Sequence, residues 1–145
     1  MTRTTTRSVE ETVEAGRVFA SSLGPGAVVA LSGTLGSGKT RFAAGICQGL
    51  GVRVHVTSPT FTIINEYPSP VATVAHIDMY RIRNRREVAE LGLEEYFSDR
   101  FVCLIEWPEP VSDLLPPEHF QVAMEHGRSA DEREIVISKA GEIAQ

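Results

Sequence analysis

The segment from Gly33 to Thr40 constrains the fold of this chain more than any other. It reads GTLGSGKT and matches the pattern G-x-x-x-x-G-K-[ST] of a phosphate-binding loop. The valine-rich segment at 27–32 before it is too short for a helix and predicts a buried strand, while the apolar spacing at 40–50 predicts a helix. A glycine-rich loop between a strand and a helix brings backbone N–H groups to the positive end of the helix, where they bind phosphate. The sequence therefore predicts a nucleotide-binding α/β domain.

Nucleotide chemistry at such a loop requires a lysine, a hydroxyl and a carboxylate. Lys39 would contact the β- and γ-phosphates, and Thr40 would place its hydroxyl on Mg²⁺. The carboxylate is expected at the end of a buried strand near the loop, and two residues meet that description. Asp78 follows the run VATVAHI and Glu106 follows FVCLI. Either can hold the metal while the other positions the attacking water, so both assignments stay open.

Composition and charge narrow the class of protein. The chain has 145 residues, of which 42% are hydrophobic and 23% charged, as is typical of one compact domain over residues 1–145. Its net charge of -5 disfavours direct, strong binding to DNA or RNA. Apolar stretches such as 27–31 are far shorter than the roughly 20 residues of a membrane span, and the polar amino terminus lacks the apolar region of a secretory signal. We therefore expect a cytoplasmic protein that contacts neither membrane nor DNA, with Cys47 and Cys103 reduced in its core.

Apolar periodicity and turn residues predict the remaining elements. Ser8 and Glu11 have the spacing of a capping box and begin a helix expected over 8–23. A basic loop with one or two short helices is expected between the two carboxylate-ending strands. The predicted strands lie at 52–56, 61–67, 71–78 and 101–106, followed by an antiparallel pair formed by HFQVAME at 119–125 and REIVISK at 133–139.

Polar and aromatic residues near these motifs are further candidates for function. Ser58 and Thr60 flank a proline in a loop that could sense the γ-phosphate, or could simply connect two strands. His76 lies two residues before the first candidate carboxylate, where it could gate the site or be a packed histidine. Trp107 directly follows the second candidate and could cover the nucleotide, face a partner or lie in the core.

Four arginines form a basic cluster in an otherwise acidic chain: Arg81, Arg83, Arg85 and Arg86. Such a cluster can bind phosphates, tRNA or an acidic partner surface. Four glutamates follow it closely, so a solvated face with internal ion pairs is the alternative interpretation.

Taken together, the motifs resemble the TsaE (YjeE) family, the P-loop ATPases of bacterial tRNA threonylcarbamoyladenosine biosynthesis. The resemblance is carried by GTLGSGKT at 33–40, SPTF at 58–61, EY at 66–67, HIDMYR at 76–81 and EWP at 106–108. The leading helix with Thr12 and the closing hairpin with Arg133 also fit, so the likeness covers essentially the whole chain. Ser37 stands where alanine is frequent in the family, and Met79 where leucine is frequent.

The resemblance implies a P-loop NTPase-like three-layer domain whose mostly parallel central sheet is extended by antiparallel strands. It implies a Mg²⁺-dependent ATPase, slow on its own, that acts with a heterodimer of TsaD and TsaB and reaches tRNA only through that complex. Its role there would be to support repeated cycles of modification. Two other functions stay open: a small-molecule P-loop kinase with the arginine cluster as a lid, and a nucleotide-gated binding module whose hydrolysis is incidental.

The resemblance also implies roles for individual residues. Catalytic roles fall to Lys39, Glu106 and Asp78, and metal contacts to Thr40, Glu106 and Asp78. Residues linked to switching or to partners are Ser58, Thr60, His76, Tyr80 and Arg81. The expected nucleotide contacts are Thr12, Gly33, Leu35, Gly36, Ser37, Gly38, Lys39, Thr40, Arg41, Trp107 and Arg133.

Overall fold

The computed structural model describes residues 1–56 and 63–140 as a mixed α/β protein. Its strands are β1 (Thr2–Thr6), β2 (Val28–Gly33), β3 (Ile64–Tyr67), β4 (Thr73–Asp78), β5 (Phe101–Glu106), β6 (Phe120–His126) and β7 (Arg133–Lys139). Its α-helices are α1 (Val9–Phe19), α2 (Lys39–Leu50) and α3 (Arg85–Glu90). Short 3-10 helices lie at Ala20–Ser22, Leu93–Tyr96 and Glu109–Leu114.

The seven strands form one sheet in the order β1-β7-β6-β2-β5-β4-β3. The four central strands, β6, β2, β5 and β4, run parallel to one another. The strands at both edges pair antiparallel with their neighbours. This arrangement confirms the predicted parallel centre with antiparallel extensions. It also brings the carboxyl ends of the central strands to one edge of the sheet, where open α/β sheets bind ligands.

Helices cover the sheet on both faces, which gives the predicted three layers. Along β5 the buried side chains alternate: Val102 and Leu104 join the cluster beneath α1 and α2, whereas Cys103 and Ile105 join the cluster beneath α3 and the short helices. Burial on both faces explains why β2 and β5 read as nearly continuous apolar runs, whereas β6 alternates between buried and exposed residues. Cys103 and Cys47 are free and buried, as predicted. No helix in the described part of the chain is long and apolar enough to span a membrane.

The predicted strand at 52–56 is wrong. Gly51 ends α2 with a positive φ of 92°, and the Val52 amide donates to the carbonyl of Cys47 at 2.9 Å. Val52 thus closes the last turn of the helix, a common use of the residue after a left-handed glycine. The alternation in the sequence does not correspond to one buried face, because Val52 is buried by this turn while Val54 is exposed like its polar neighbours.

Strand β1 lies in a segment for which the sequence predicted no element. Its threonines are β-branched and suit an extended backbone, although they are polar. They pair with β7 at the far end of the chain, from Thr2 opposite Ile137 to Thr6 opposite Arg133. The other predicted helices and strands are confirmed with shifts of a few residues at their ends. The predicted strand at 61–67 is described only from residue 63.

Candidate functional site

The phosphate-binding loop lies between β2 and α2, tightly packed against β6. Gly33 has a φ of 140°, and a Cβ at this position would overlap the carbonyl oxygen of Met124 on β6. Only glycine meets both requirements. Thr34 also bonds to β6, since its Oγ1 donates to Glu125 Oε2 at 3.2 Å. The sheet therefore fixes the path of the loop as it leaves β2.

Lys39 lies at the start of α2 and is almost completely buried. Its Nζ donates to the carbonyl oxygens of Gly33 and Thr34 at 2.8 and 2.9 Å. The same nitrogen lies 3.9 Å from the centroid of the Trp107 ring. Burial lowers the pKa of Lys39 below its usual value, and the charge of Glu106 partly opposes that shift. The loop thus holds a cation close to its own backbone.

Glu106, at the end of β5, is the carboxylate that contacts the loop. The Thr40 hydroxyl lies 3.1 and 3.2 Å from its two oxygens, and His76 Nε2 lies 2.6 Å from Oε2. Glu106 is only 3% exposed. A buried carboxylate with two hydrogen-bonding partners is held in a defined orientation.

Asp78 ends β4 and pairs with Glu106 in the register of the two strands. Its Oδ1 accepts a hydrogen bond from the Tyr80 amide at 2.9 Å. Burial raises the pKa of Asp78 above its usual value; the Tyr80 bond opposes this shift and the charge of Glu106 adds to it. The two candidate carboxylates therefore lie side by side, but the contact with Thr40 belongs to Glu106.

The oxygen atoms of Thr40, Glu106 and Asp78 fit Mg²⁺, which prefers hard oxygen ligands. The described residues contain no group of three or more His, Cys, Asp or Glu side chains that could hold a metal ion. A site with one hydroxyl and one or two carboxylates suits a Mg²⁺ ion that completes its shell with phosphate oxygens and water. The arrangement therefore suits a metal that arrives with a nucleotide.

A cavity of about 480 Å³ opens at this edge of the sheet, a volume typical of small-molecule sites. Its wall includes both candidate carboxylates and most of the predicted nucleotide contacts: Thr12, Leu35, Gly36, Ser37, Gly38, Lys39, Thr40, Arg41 and Arg133. Gly33 and Trp107 are not part of the wall but contact Lys39 from behind it. The cavity is also lined by three residues that the sequence analysis missed: Val9, Ile63 and Asp131. No motif marks them, because their segments reach the loop only through the order of the strands in the sheet.

Arg133 and Thr12 lie on the side of the cavity formed by α1 and β7. Arg133 Nη2 donates to the Gly36 carbonyl at 3.2 Å, so β7 supports the loop backbone directly. Its Nε is buried and has no hydrogen-bond partner among the described residues. Thr12 is buried, and its hydroxyl lies 2.7 Å from that of Thr6 on β1. The edge strand that the sequence did not predict thus positions one of the predicted nucleotide contacts.

Trp107 has a φ of 57°, the only positive value for a non-glycine residue among those described. Its amide donates to the Leu31 carbonyl at 3.1 Å, which fixes this unusual turn. The ring is half-buried and lies 4.8 Å, centroid to centroid, from the ring of Tyr80. The ring therefore connects the predicted partner-linked residue Tyr80 to Lys39.

The arginine cluster is divided between two environments. Arg81 lines the cavity. Arg85 lies 3.0 Å from Asp113, and Arg86 lies 3.5 Å from Glu90, on an exposed face. The pair of Arg86 with Glu90 fits the interpretation of a solvated face with internal ion pairs, whereas Arg85 pairs with a residue of the 3-10 helix at Glu109–Leu114. The predicted switch residues Ser58 and Thr60 lie outside the described residues.

Comparison with known proteins identifies close relatives. The family model described as "Threonylcarbamoyl adenosine biosynthesis protein TsaE" matches residues 6–135. A tRNA threonylcarbamoyladenosine biosynthesis protein TsaE from Bacillus subtilis is 42% identical over 132 residues, covering 91% of this chain and 82% of that protein. A protein of the same name from Treponema pallidum is 39% identical over 114 residues, covering 79% of this chain and 84% of its own. The crystal structure of Bacillus subtilis YdiB matches with a TM-score of 0.82 and 36% identity, covering 97% of this chain and 86% of that one.

Proposed function

Because the chain belongs to the TsaE family of threonylcarbamoyl adenosine biosynthesis proteins, we propose that it binds ATP and hydrolyses it slowly in that pathway. Its partners in this proposal are TsaD and TsaB, acting as a heterodimer in the cytoplasm, with tRNA bound through the complex. ATP hydrolysis would then support repeated cycles of tRNA modification.

The observation that carries the proposal is the contact between Thr40 and Glu106 in the same cavity as Lys39. A hydroxyl and a carboxylate within 3.2 Å of each other are the oxygen pair that nucleotide-bound Mg²⁺ requires at a phosphate-binding loop. Lys39 adds a cation to the same cavity wall. A glycine-rich turn with a purely structural role would need none of these three side chains together.

Hydrolysis needs stabilisation of the charge on the phosphates and a positioned water molecule. Backbone N–H groups of the loop and the ammonium of Lys39 would supply the stabilisation. When bound beside Thr40 and Glu106, Mg²⁺ would neutralise charge on the β- and γ-phosphates. Asp78 is next to Glu106 in the sheet and faces the cavity, so it would orient the attacking water. This proposal assigns separate tasks to the two carboxylates.

The exposed rim of the cavity supports low activity in the absence of partners. Leu35 is 69% exposed and Tyr80 is 55% exposed, and both line the opening. Large apolar side chains left in water at the edge of a site are typical of surfaces that bind another molecule. A partner covering them would exclude water from the phosphates and strengthen the electrostatic interactions there.

The test is the rate of phosphate release from Mg·ATP by the protein alone and with TsaD and TsaB. We expect an increase that requires both partners and disappears in Lys39→Ala. The matched control is Lys139→Ala, since the chain contains only these two lysines and Lys139, at the end of β7, does not line the cavity.

Three results would contradict the proposal. The absence of stimulation by the partners would separate ATP hydrolysis from the assembly. Equal stimulation by a small hydroxyl compound without partners would indicate a kinase. Full tRNA modification over many cycles by Glu106→Gln, with hydrolysis abolished, would indicate a nucleotide-gated binding module.

A further inference from the structure

The buried contact between His76 and Glu106 is not needed to build the sheet or the phosphate-binding loop. His76 is fully buried on β4, and its Nε2 lies 2.6 Å from Glu106 Oε2. Val74 and His76 alternate along β4 on the face covered by α2, as Leu104 and Glu106 do along β5. An apolar side chain at position 76 would complete this face. The imidazole is therefore explained by its hydrogen bond to Glu106 and not by packing.

We propose that His76 is a positioning residue that orients the Glu106 carboxylate toward Thr40 and Mg²⁺. This inference rests on the proposed function, because it assigns a role within the same nucleotide site. His76 is fully buried and is not among the described residues of the cavity wall, so it would act only through Glu106. Groups that hydrogen-bond to a metal ligand orient that ligand and tune its affinity for the metal.

The hydrogen-bond partners of the two ring nitrogens of His76 differ, and this difference favours one position for the proton. A neutral imidazole has one donor and one acceptor nitrogen, and the carboxylate of Glu106 can only accept. His76 Nδ1 is buried and has no hydrogen-bond partner among the described residues. A proton on Nδ1 would therefore be a buried donor without an acceptor, at considerable cost. Of the two neutral tautomers, the one with its proton on Nε2, directed at Glu106, is therefore favoured.

The contact gives the Glu106 carboxylate a second fixed partner. Glu106 is the last residue of β5, and the other donor to its carboxylate is Thr40, whose hydroxyl the proposed metal would also use. His76 lies within a strand paired on both sides, so its ring has a rigid attachment. The ring thus holds Oε2 in place and keeps both carboxylate oxygens within hydrogen-bond distance of the Thr40 hydroxyl.

A pair of amide substitutions separates positioning from simple packing. Glutamine places its side-chain nitrogen where the ring has Nε2, whereas asparagine reaches only as far as Nδ1. We expect His76→Asn to raise the Mg²⁺ concentration for half-saturation of the nucleotide-induced change in Trp107 fluorescence by about 10- to 100-fold. His76→Gln should stay within about threefold of the wild type, because its N–H still reaches Glu106. His119→Asn controls for histidine replacement in general, because this buried histidine bonds the Pro116 carbonyl through Nδ1, the position that the asparagine nitrogen reaches.

The proton position has an independent readout that needs neither nucleotide nor metal. NMR spectra of protein with ¹⁵N-labelled histidine distinguish the two neutral forms of a ring, and His76→Gln identifies the signals among four histidines. We expect His76 to carry its proton on Nε2. A proton on Nδ1 would overturn the inference.

Two further results would also overturn it: an unchanged Mg²⁺ requirement in folded His76→Asn, or a defect in His76→Gln despite an unfolding temperature like that of the wild type. If His76→Asn does not fold, His76→Gln and the NMR measurement still provide the test. Failure of the proposed function would give a different result. The wild type would not hydrolyse ATP with its partners, although it would still bind nucleotide in a Mg²⁺-dependent manner.

Discussion

The Lys39 ammonium nitrogen lies 3.9 Å from the centroid of the Trp107 ring, so the loop after β2 and the turn after β5 meet at this contact. A cation over an indole face is attracted by the electron-rich ring. The same nitrogen also donates to two carbonyl oxygens of the loop. Phosphate groups entering the cavity must compete with these three interactions for the lysine.

ATP binding should therefore change the fluorescence of Trp107, the only tryptophan in the chain. In Lys39→Met the emission of the free protein should differ and the response to ATP should be largely lost. ATP affinity should fall at least about tenfold, because hydrogen bonds from a charged donor are removed. Fluorescence titration measures both effects, and Lys139→Ala should behave like the wild type. A full response in Lys39→Met would show that the ring reports on something other than the lysine.

Asp78→Asn should separate catalysis from folding and from binding. If Asp78 orients the attacking water, phosphate release should fall by about 10²- to 10⁴-fold while ATP affinity changes little. Stability should hold or rise at neutral pH, because burial raises the pKa of Asp78 and the folded state thus disfavours its charged form. The asparagine oxygen can still accept the bond from the Tyr80 amide. Phosphate-release assays and thermal unfolding test these effects, and unchanged hydrolysis in a folded variant would remove Asp78 from the mechanism.

The elements around the loop could be predicted from sequence because their signals are local. The pattern from Gly33 to Thr40, the valine-rich strand before it and the helix after it all lie within about 25 residues. Local sequence signals could not decide whether Asp78 or Glu106 contacts Thr40. It depends on the register of β4 and β5 and on side-chain rotation, which together bring Glu106 rather than Asp78 to Thr40.

Two further features were beyond the reach of local patterns. β1 gains its stability from pairing with β7, more than 120 residues away, so its polar threonines gave no apolar signal. Trp107 contacts Lys39 from a backbone with a positive φ, which its residue type does not favour, and its amide bonds to the Leu31 carbonyl in this conformation. The sequence predicted that Trp107 lies near the site, because it follows Glu106, but it did not predict the direction of the ring.

The buried thiol of Cys47 should make the protein less stable at alkaline pH. Burial raises the pKa of Cys47 from its ordinary value of 9.0 to about 12. Above pH 9 the unfolded chain therefore loses this proton while the folded chain keeps it, so stability falls as pH rises between the two values, by up to about 1.4 kcal/mol per pH unit. Urea unfolding at pH 8, 9 and 10 measures the slope. Cys47→Ala should give a shallower slope, and equal slopes in both proteins would contradict the assignment.

Gly45 on α2 should be intolerant of the smallest side chain, because α1 packs directly against it. A Cβ at this position would overlap the carbonyl oxygen of Val13, and backbone atoms cannot move aside as a flexible side chain can. Alanine in a helix normally stabilises relative to glycine by about 1 kcal/mol, so a loss of stability from Gly45→Ala would reverse the usual sign.

We expect that loss to be about 2 kcal/mol or more, with weaker nucleotide binding, since the displaced helix carries Thr12 at the cavity wall. Gly24→Ala is the matched control, because a Cβ there meets nothing within 4 Å. Urea unfolding of both variants gives the comparison. If Gly45→Ala were as stable as Gly24→Ala, the close approach of the two helices would not be the constraint that holds α1 against the nucleotide site.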